Sequence, residues 1–129
     1  MYCLDTSVII AIFRGDSDLA KKISMLESNA ISFTTITLCE LLKGAYKARQ
    51  KEKALDLIKD FSNTYNVLTL TAVSCEIFGR DFNALLKSGK AAQEPDLMIA
   101  GIAKENGLIL VTRNRKHFEN VPDMLVEEW

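Results

Sequence analysis

PDLMIAGIAKENGLILVTRN, residues 95–114, reads as a helix, a stop and a buried strand in immediate succession. Pro95 suits the first helical position, where its missing N–H is no loss, and Asp96 meets the positive end of the helix dipole. Ile99, Ala100 and Ala103 make an inward stripe, and Lys104, Asn106 and Gly107 read as a helix stop. Leu108-Ile109-Leu110-Val111 has no alternation, which predicts a strand covered on both faces of a parallel sheet. In such a unit the helix runs antiparallel to the strands, so its N-terminus lies at their carboxyl edge. Thr112 and Asn114 emerge at that same edge, which aims Asp96 and Asn114 at one crevice.

Working outward, the same alternation of strand and helix recurs. Tyr2–Leu4 reads as a first strand ending at Asp5, with Thr6 or Ser7 able to cap the apolar helix Val8–Phe13 before Gly15. Asp16 caps a second helix carrying Leu19, Ala20, Ile23 and Leu26. Ile31–Thr35 alternates as a second strand, and Thr37-Leu38-Cys39-Glu40 has capping-box spacing. On the helix that follows, Leu38, Leu41, Leu42, Ala45 and Ala48 cover one side, and Glu40, Lys43 and Lys47 line the other. Glu52–Phe61 is a further amphipathic helix, Val67–Leu70 a third strand, and Thr71 caps a helix to about Leu86. After residue 114, Leu125, Val126 and Trp129 make a terminal strand. The expectation is one α/β domain, residues 1–129, a three-layer sandwich with a parallel, roughly five-stranded sheet and right-handed crossovers.

Bulk composition narrows the function. Hydrophobic residues make up 48% and charged ones 26%, which excludes disorder, and no run is long enough to span a membrane. The start Met1-Tyr2-Cys3-Leu4 is already strand-like, without an apolar signal core, and is read as cytoplasmic. Cys3, Cys39 and Cys75 form no C-x-x-C pair and are read as small buried hydrophobes. The single histidine, His117, excludes a multi-histidine zinc site. The net charge of −1 makes no polycationic binder, yet Lys43, Lys47, Arg49, Lys51, Lys53 and Lys59 exceed Glu52 and Asp56 by four charges. Arg113, Arg115 and Lys116 form a second basic cluster. Either is a solvated face or a phosphate-binding surface.

In open α/β sheets ligands bind outside the carboxyl ends of the strands, at a switch in strand order. Asp5, Glu40, Asp96, Thr112 and Asn114 all fall on that edge. Three carboxylates brought together repel unless something positive sits among them. Oxygen donors without a histidine or thiolate cluster point to a hard ion, Mg²⁺ or Mn²⁺, that keeps several waters. Such an ion polarises phosphoryl oxygens and activates water, which suits phosphodiester hydrolysis. Thr6, Ser7, Thr112 and Asn114 are placed to orient that water or a ligand. Glu40 has an equally good reading as a capping-box partner and Asp96 as a dipole-favoured first-turn residue. Asp5 is harder to explain structurally, because a carboxylate between an apolar strand and an apolar helix is costly without a partner.

Four stretches in this order and spacing resemble PIN-domain ribonucleases, specifically the VapC-type toxins of toxin–antitoxin pairs. They are D-T-S-V-I-I-A-I-F-R-G at 5–15, T-I-T-L-C-E-L-L-K-G-A at 35–45, G-K at 89–90 followed by D-L-M-I-A at 96–100, and L-V-T-R-N-R-K-H-F at 110–118. The resemblance implies Mg²⁺- or Mn²⁺-dependent endonucleolytic cleavage of RNA, a homodimer, and a small VapB-type antitoxin that blocks the site and supplies DNA binding. Carried over by position, Asp5, Glu40 and Asp96 match the acidic metal-binding residues, Thr112 the threonine before the fourth position, and Thr6 or Ser7 the hydroxyl after the first aspartate. The fourth acidic position is Asn114 here, so the number of ions stays open, and His117 stands where some relatives carry another acid. RNA contacts are expected from Lys43, Lys47, Arg49, Arg113 and Arg115. Two rival readings are a phosphorylation-receiver-like signalling module and a PIN-like protein that binds RNA without cutting it. The receiver reading wants an acidic pair after the first strand and a late lysine, where this chain has Asp5-Thr6-Ser7 and no such lysine.

Overall fold

A computed structural model describes all residues, 1–129. The chain runs β1 (Tyr2–Leu4), α1 (Thr6–Phe13), α2 (Ser17–Ser24), β2 (Ile31–Thr34), α3 (Thr35–Lys47), α4 (Lys51–Thr64), β3 (Asn66–Leu68), α5 (Ala72–Lys87), α6 (Glu94–Glu105), β4 (Ile109–Thr112) and β5 (Val126–Glu128). The five strands are all parallel in the order β3-β2-β1-β4-β5. The chain winds outward from β1 to β3, then returns to lay β4 on the other side of β1. The reversal puts a crevice between the carboxyl ends of β1 and β4.

Neighbouring residues on a strand face opposite layers, and the core divides accordingly. Leu4 and Val111 join Val8, Leu19, Phe33, Leu41, Ile58 and Phe61 beneath α1–α4. Cys3 and Leu110 join Leu85, Leu97, Ile99, Ala100, Ala103 and Phe118 beneath α5 and α6. All four residues of β2 are buried, so the apolar/polar alternation of Ile31–Thr34 does not mark an exposed face. Ser32 instead donates to the Tyr2 carbonyl at 2.9 Å, and the Thr34 side chain caps α3 by accepting from Thr37 N–H at 3.1 Å.

Several boundaries differ from expectation for local reasons. The cap of α3 is Thr34, so the helix begins at Thr35 and the Thr37–Glu40 capping box does not form. α1 starts at Thr6 with Asp5 as its N-cap residue, so neither Thr6 nor Ser7 caps it. α6 begins at Glu94, one residue before Pro95, and buries Leu97, Gly101 and Ile102 besides the three stripe residues, because it lies between the sheet and α5. Its end is a Schellman motif: Leu108 N–H reaches Ala103 O at 2.9 Å and Gly107 N–H reaches Lys104 O at 3.1 Å. Gly107 holds φ +64, the left-handed conformation that motif requires. Of the cysteines only Cys3 is buried, and burial pushes its thiol up to about 12; Cys39 and Cys75 are exposed. No helix is long and apolar enough to cross a membrane.

Candidate active site

Asp5 leaves β1 with extended backbone, and its N–H completes the ladder to Val111 O at 2.8 Å. Its carboxylate does not turn back to cap α1; Oδ2 accepts from Thr112 Oγ1 at 2.7 Å and Ser7 Oγ at 3.1 Å. Thr112, fully buried at the end of β4, accepts in turn from Asn114 N–H at 3.0 Å. Ser7 Oγ accepts from Arg113 N–H at 3.0 Å. The hydroxyls therefore tie the exits of β1 and β4 together and fix one Asp5 oxygen. Thr6 performs the same task toward β2, since its Oγ1 donates to Glu40 Oε1 at 3.0 Å and stands 3.1 Å from Thr37 Oγ1. Glu40 is exposed in the second turn of α3, free of any capping duty.

Asp96 enters from the third residue of α6. Its Oδ2 is buried and has no hydrogen-bond partner; His117 Nδ1 approaches it to 3.3 Å without hydrogen-bond alignment. Burial, with the negative charges of Asp5 and Glu40, raises the Asp96 carboxyl from 3.8 to about 6 against the opposing pull of His117. Asp5, Glu40, Asp96 and Asn114 line one cleft together with Thr6, Ser7, Ile10, Arg14, Gln93 and His117. Thr112 sits beneath them.

Nowhere do three acidic, histidine or cysteine side chains close into a ready-made metal cage. Yet the donors fit a hydrated divalent cation. Mg²⁺-type ions take one or two protein carboxylates and keep the rest of their shell as water. The unpartnered Asp96 oxygen is the atom such an ion would satisfy.

The expected basic contacts do not converge on the cleft. Lys43, Lys47 and Arg49 are exposed along and beyond α3, which runs away from the carboxyl edge. Arg113 is held by Asp16, with Nη2 to Oδ2 at 2.7 Å, and Arg115 is exposed outside the lining. The cation that does line the cleft is Arg14. Ser7, Ile10 and Arg14 stand at i, i+3 and i+7, and side chains on a helix lean toward its N-terminus, which carries Arg14 back toward the site. That spacing was available in the sequence. No lysine lines the cleft, contrary to what a receiver module wants.

Residues 2–124 match the PIN domain. The chain belongs to that family. Among PIN-domain relatives, it is 30% identical over 128 residues to a tRNA(fMet)-specific endonuclease VapC of Shigella flexneri, covering 99% of this chain and 97% of the other. It is 32% identical over 130 residues to ribonuclease VapC2 of Haemophilus influenzae, at 99% and 97% coverage. The VapBC2 structure from Rickettsia felis, bound to a DNA fragment of its promoter, superimposes with a TM-score of 0.92 at 27% identity, covering 99% of this chain and 98% of that one. These likenesses extend over the whole chain, so the PIN-family sandwich is the frame in which the cleft is built.

Proposed function

We propose that this PIN-domain chain is a metal-dependent endoribonuclease, the toxin of a toxin–antitoxin pair. The observation that carries the reading is the buried, unpartnered Asp96 oxygen in a cleft shared with Asp5 and Glu40 at the switch in strand order. Asp5, Asp96 and Glu40 hold Mg²⁺ or Mn²⁺. When bound, that ion lowers the pKa of a coordinated water and offsets charge on the phosphate.

The chain's own groups do the positioning. Thr112 and Ser7 donate to one Asp5 oxygen, which leaves the other free to face the cleft. Thr6 fixes the Glu40 oxygen on the opposite wall. Asn114, anchored through its N–H to Thr112, presents a neutral amide suited to hold water or a phosphate oxygen. Arg14 is the cation at the rim of the cleft and is placed to contact a phosphate. Relatives named as RNA endonucleases support RNA as substrate.

The partner reading draws on the neighbouring surface. An apolar groove between α1, α3 and α4, lined by Phe13, Leu41, Ala45, Leu57 and Ile58, shares Ile10, Arg14 and Glu40 with the cleft. A VapB-type antitoxin segment laid in this groove reaches the site directly, and DNA binding comes through that partner. Phe82 and Leu86, one turn apart and exposed on α5, offer apolar surface to a second copy in a homodimer. An RNA substrate and a DNA-binding partner both support the cytoplasm as the compartment in this reading.

The test is incubation of the purified chain with structured RNAs in Mn²⁺, with EDTA and Asp96→Ala as controls. Cleavage dependent on both metal and Asp96 is expected. Metal-independent RNA binding without cleavage would overturn the nuclease reading and favour a PIN-like RNA binder.

A further inference from the structure

His117 is the only histidine of the chain. It ends a short 3₁₀ turn, Arg115–His117, and its N–H donates to Asn114 O at 2.9 Å. The next residue, Phe118, is 1% exposed and packed in the core beneath α5 and α6. The imidazole therefore rises from backbone anchored on both sides. Its Nδ1 stands 3.3 Å from the Asp96 oxygen that has no hydrogen-bond partner, and its side chain is half-exposed.

That spacing has a second meaning besides an ion pair. Two donor atoms each bound at about 2.1 Å to one ion stand roughly 3.0–3.4 Å apart at octahedral to tetrahedral angles. An imidazole nitrogen and a carboxylate oxygen at 3.3 Å, both turned into the same acidic cleft, are spaced as neighbouring ligands of a single cation. Imidazole favours ions such as Zn²⁺, Ni²⁺ and Fe²⁺, whereas Mg²⁺ prefers oxygen throughout.

Resting on the metal-dependent reading of the cleft, we propose that His117 Nδ1 and Asp96 Oδ2 bind its divalent ion together. The resulting nitrogen–oxygen site takes a first-row transition ion in preference to Mg²⁺. His117 thereby turns an all-oxygen site into a mixed one, which separates the choice of metal from the count of carboxylates that Asn114 reduces.

A single imidazole makes the test direct. Exposed Cys39 and Cys75 compete for soft ions, so both are first replaced by serine. The ¹⁵N resonances of His117 are then followed while Zn²⁺ or, separately, Mg²⁺ is added, and binding of each ion is measured calorimetrically. Zn²⁺ is expected to shift Nδ1 in a way that Asp96→Asn abolishes, and Mg²⁺ to leave it unmoved. His117→Ala, which removes a half-exposed side chain and spares Phe118, is expected to weaken Zn²⁺ binding about tenfold or more while Mg²⁺ binding is unchanged. If Zn²⁺ binds in an Asp96-dependent manner without moving Nδ1, His117 is only an ion-pair partner and the proposal falls while the metal-dependent reading stands. If no ion binds in an Asp96-dependent manner, the metal-dependent reading itself fails.

Discussion

Asp81 and Asp96 are both carboxylates on the packed helices α5 and α6, and their surroundings are opposite. Asp81 is 2% exposed and meets Lys104 Nζ at 2.5 Å; that ammonium also donates to Pro122 O at 2.8 Å. The charge is matched, and the match ties α5, α6 and the approach to β5 into one unit. Asp96, at the other end of α6, has a buried oxygen with no hydrogen bond and faces two more carboxylates across the cleft. One end of the helix pair spends its charges on the fold, and the other keeps them available for a ligand.

The comparison is broken most severely at its matched end. Lys104→Met leaves Asp81 buried without its partner, and a loss of about 3–5 kcal/mol is expected in urea unfolding. Lys104→Met with Asp81→Leu recovers most of it, since the cost lies in the orphaned charge. Recovery failing in the double variant would mean that packing, not charge, sets the effect.

Gly101→Ala acts between the two ends. A Cβ there would meet the Ser74 carbonyl oxygen at 2.9 Å, and backbone cannot swing aside. Forcing α5 from α6 is expected to cost about 1–3 kcal/mol, read as a lower melting temperature. An unchanged melting temperature would show that the helices are less closely locked than this contact requires.

Thr112→Val probes the cleft's scaffold. It removes the 2.7 Å donor to Asp5 and the acceptor for Asn114 N–H in a fully buried setting, for an expected loss of about 1–2 kcal/mol together with RNA cleavage. Thr112→Ser keeps both bonds and should retain most of the stability and the activity. Serine behaving like valine would assign Thr112 to packing through its methyl group.

These contrasts also explain what the sequence discloses. The sandwich is legible because β1, β2 and β3 are each followed at once by a helix with an apolar face or by a pair of such helices, and β4 is an unbroken apolar run, while Asp5, Asp96 and Thr112 follow from the carboxyl-edge rule. The capping of α3 is misread because Thr34, Thr35 and Thr37 are all competent caps, and only packing of β2 selects Thr34. Asp81 and Lys104 are 23 residues apart on different helices, and no local period announces their pairing. His117 beside Asp96 is hidden for the same reason. Arg14 was available in the spacing from Ser7, but a cation just past a glycine-stopped helix reads as solvent-facing until the lean of helical side chains is considered.

The pH-dependent part of the stability bears most directly on the central claim, that Asp96 is held at a cost in the free protein and satisfied by a cation. Folding raises its carboxyl from 3.8 to about 6. The folded state thus holds this proton more tightly than the unfolded chain, and the associated stability is fully present below pH 3.8 and lost as pH rises through about 6. Asp96→Asn cannot ionise and escapes that loss. The decisive measurement is the melting temperature of the wild type and Asp96→Asn across pH, in EDTA and in Mn²⁺. The variant should melt higher than the wild type in EDTA above pH 6, the gap should close on acidification, and Mn²⁺ should raise the wild type alone. A variant that melts lower than the wild type in EDTA, with Mn²⁺ acting equally on both, would contradict the account.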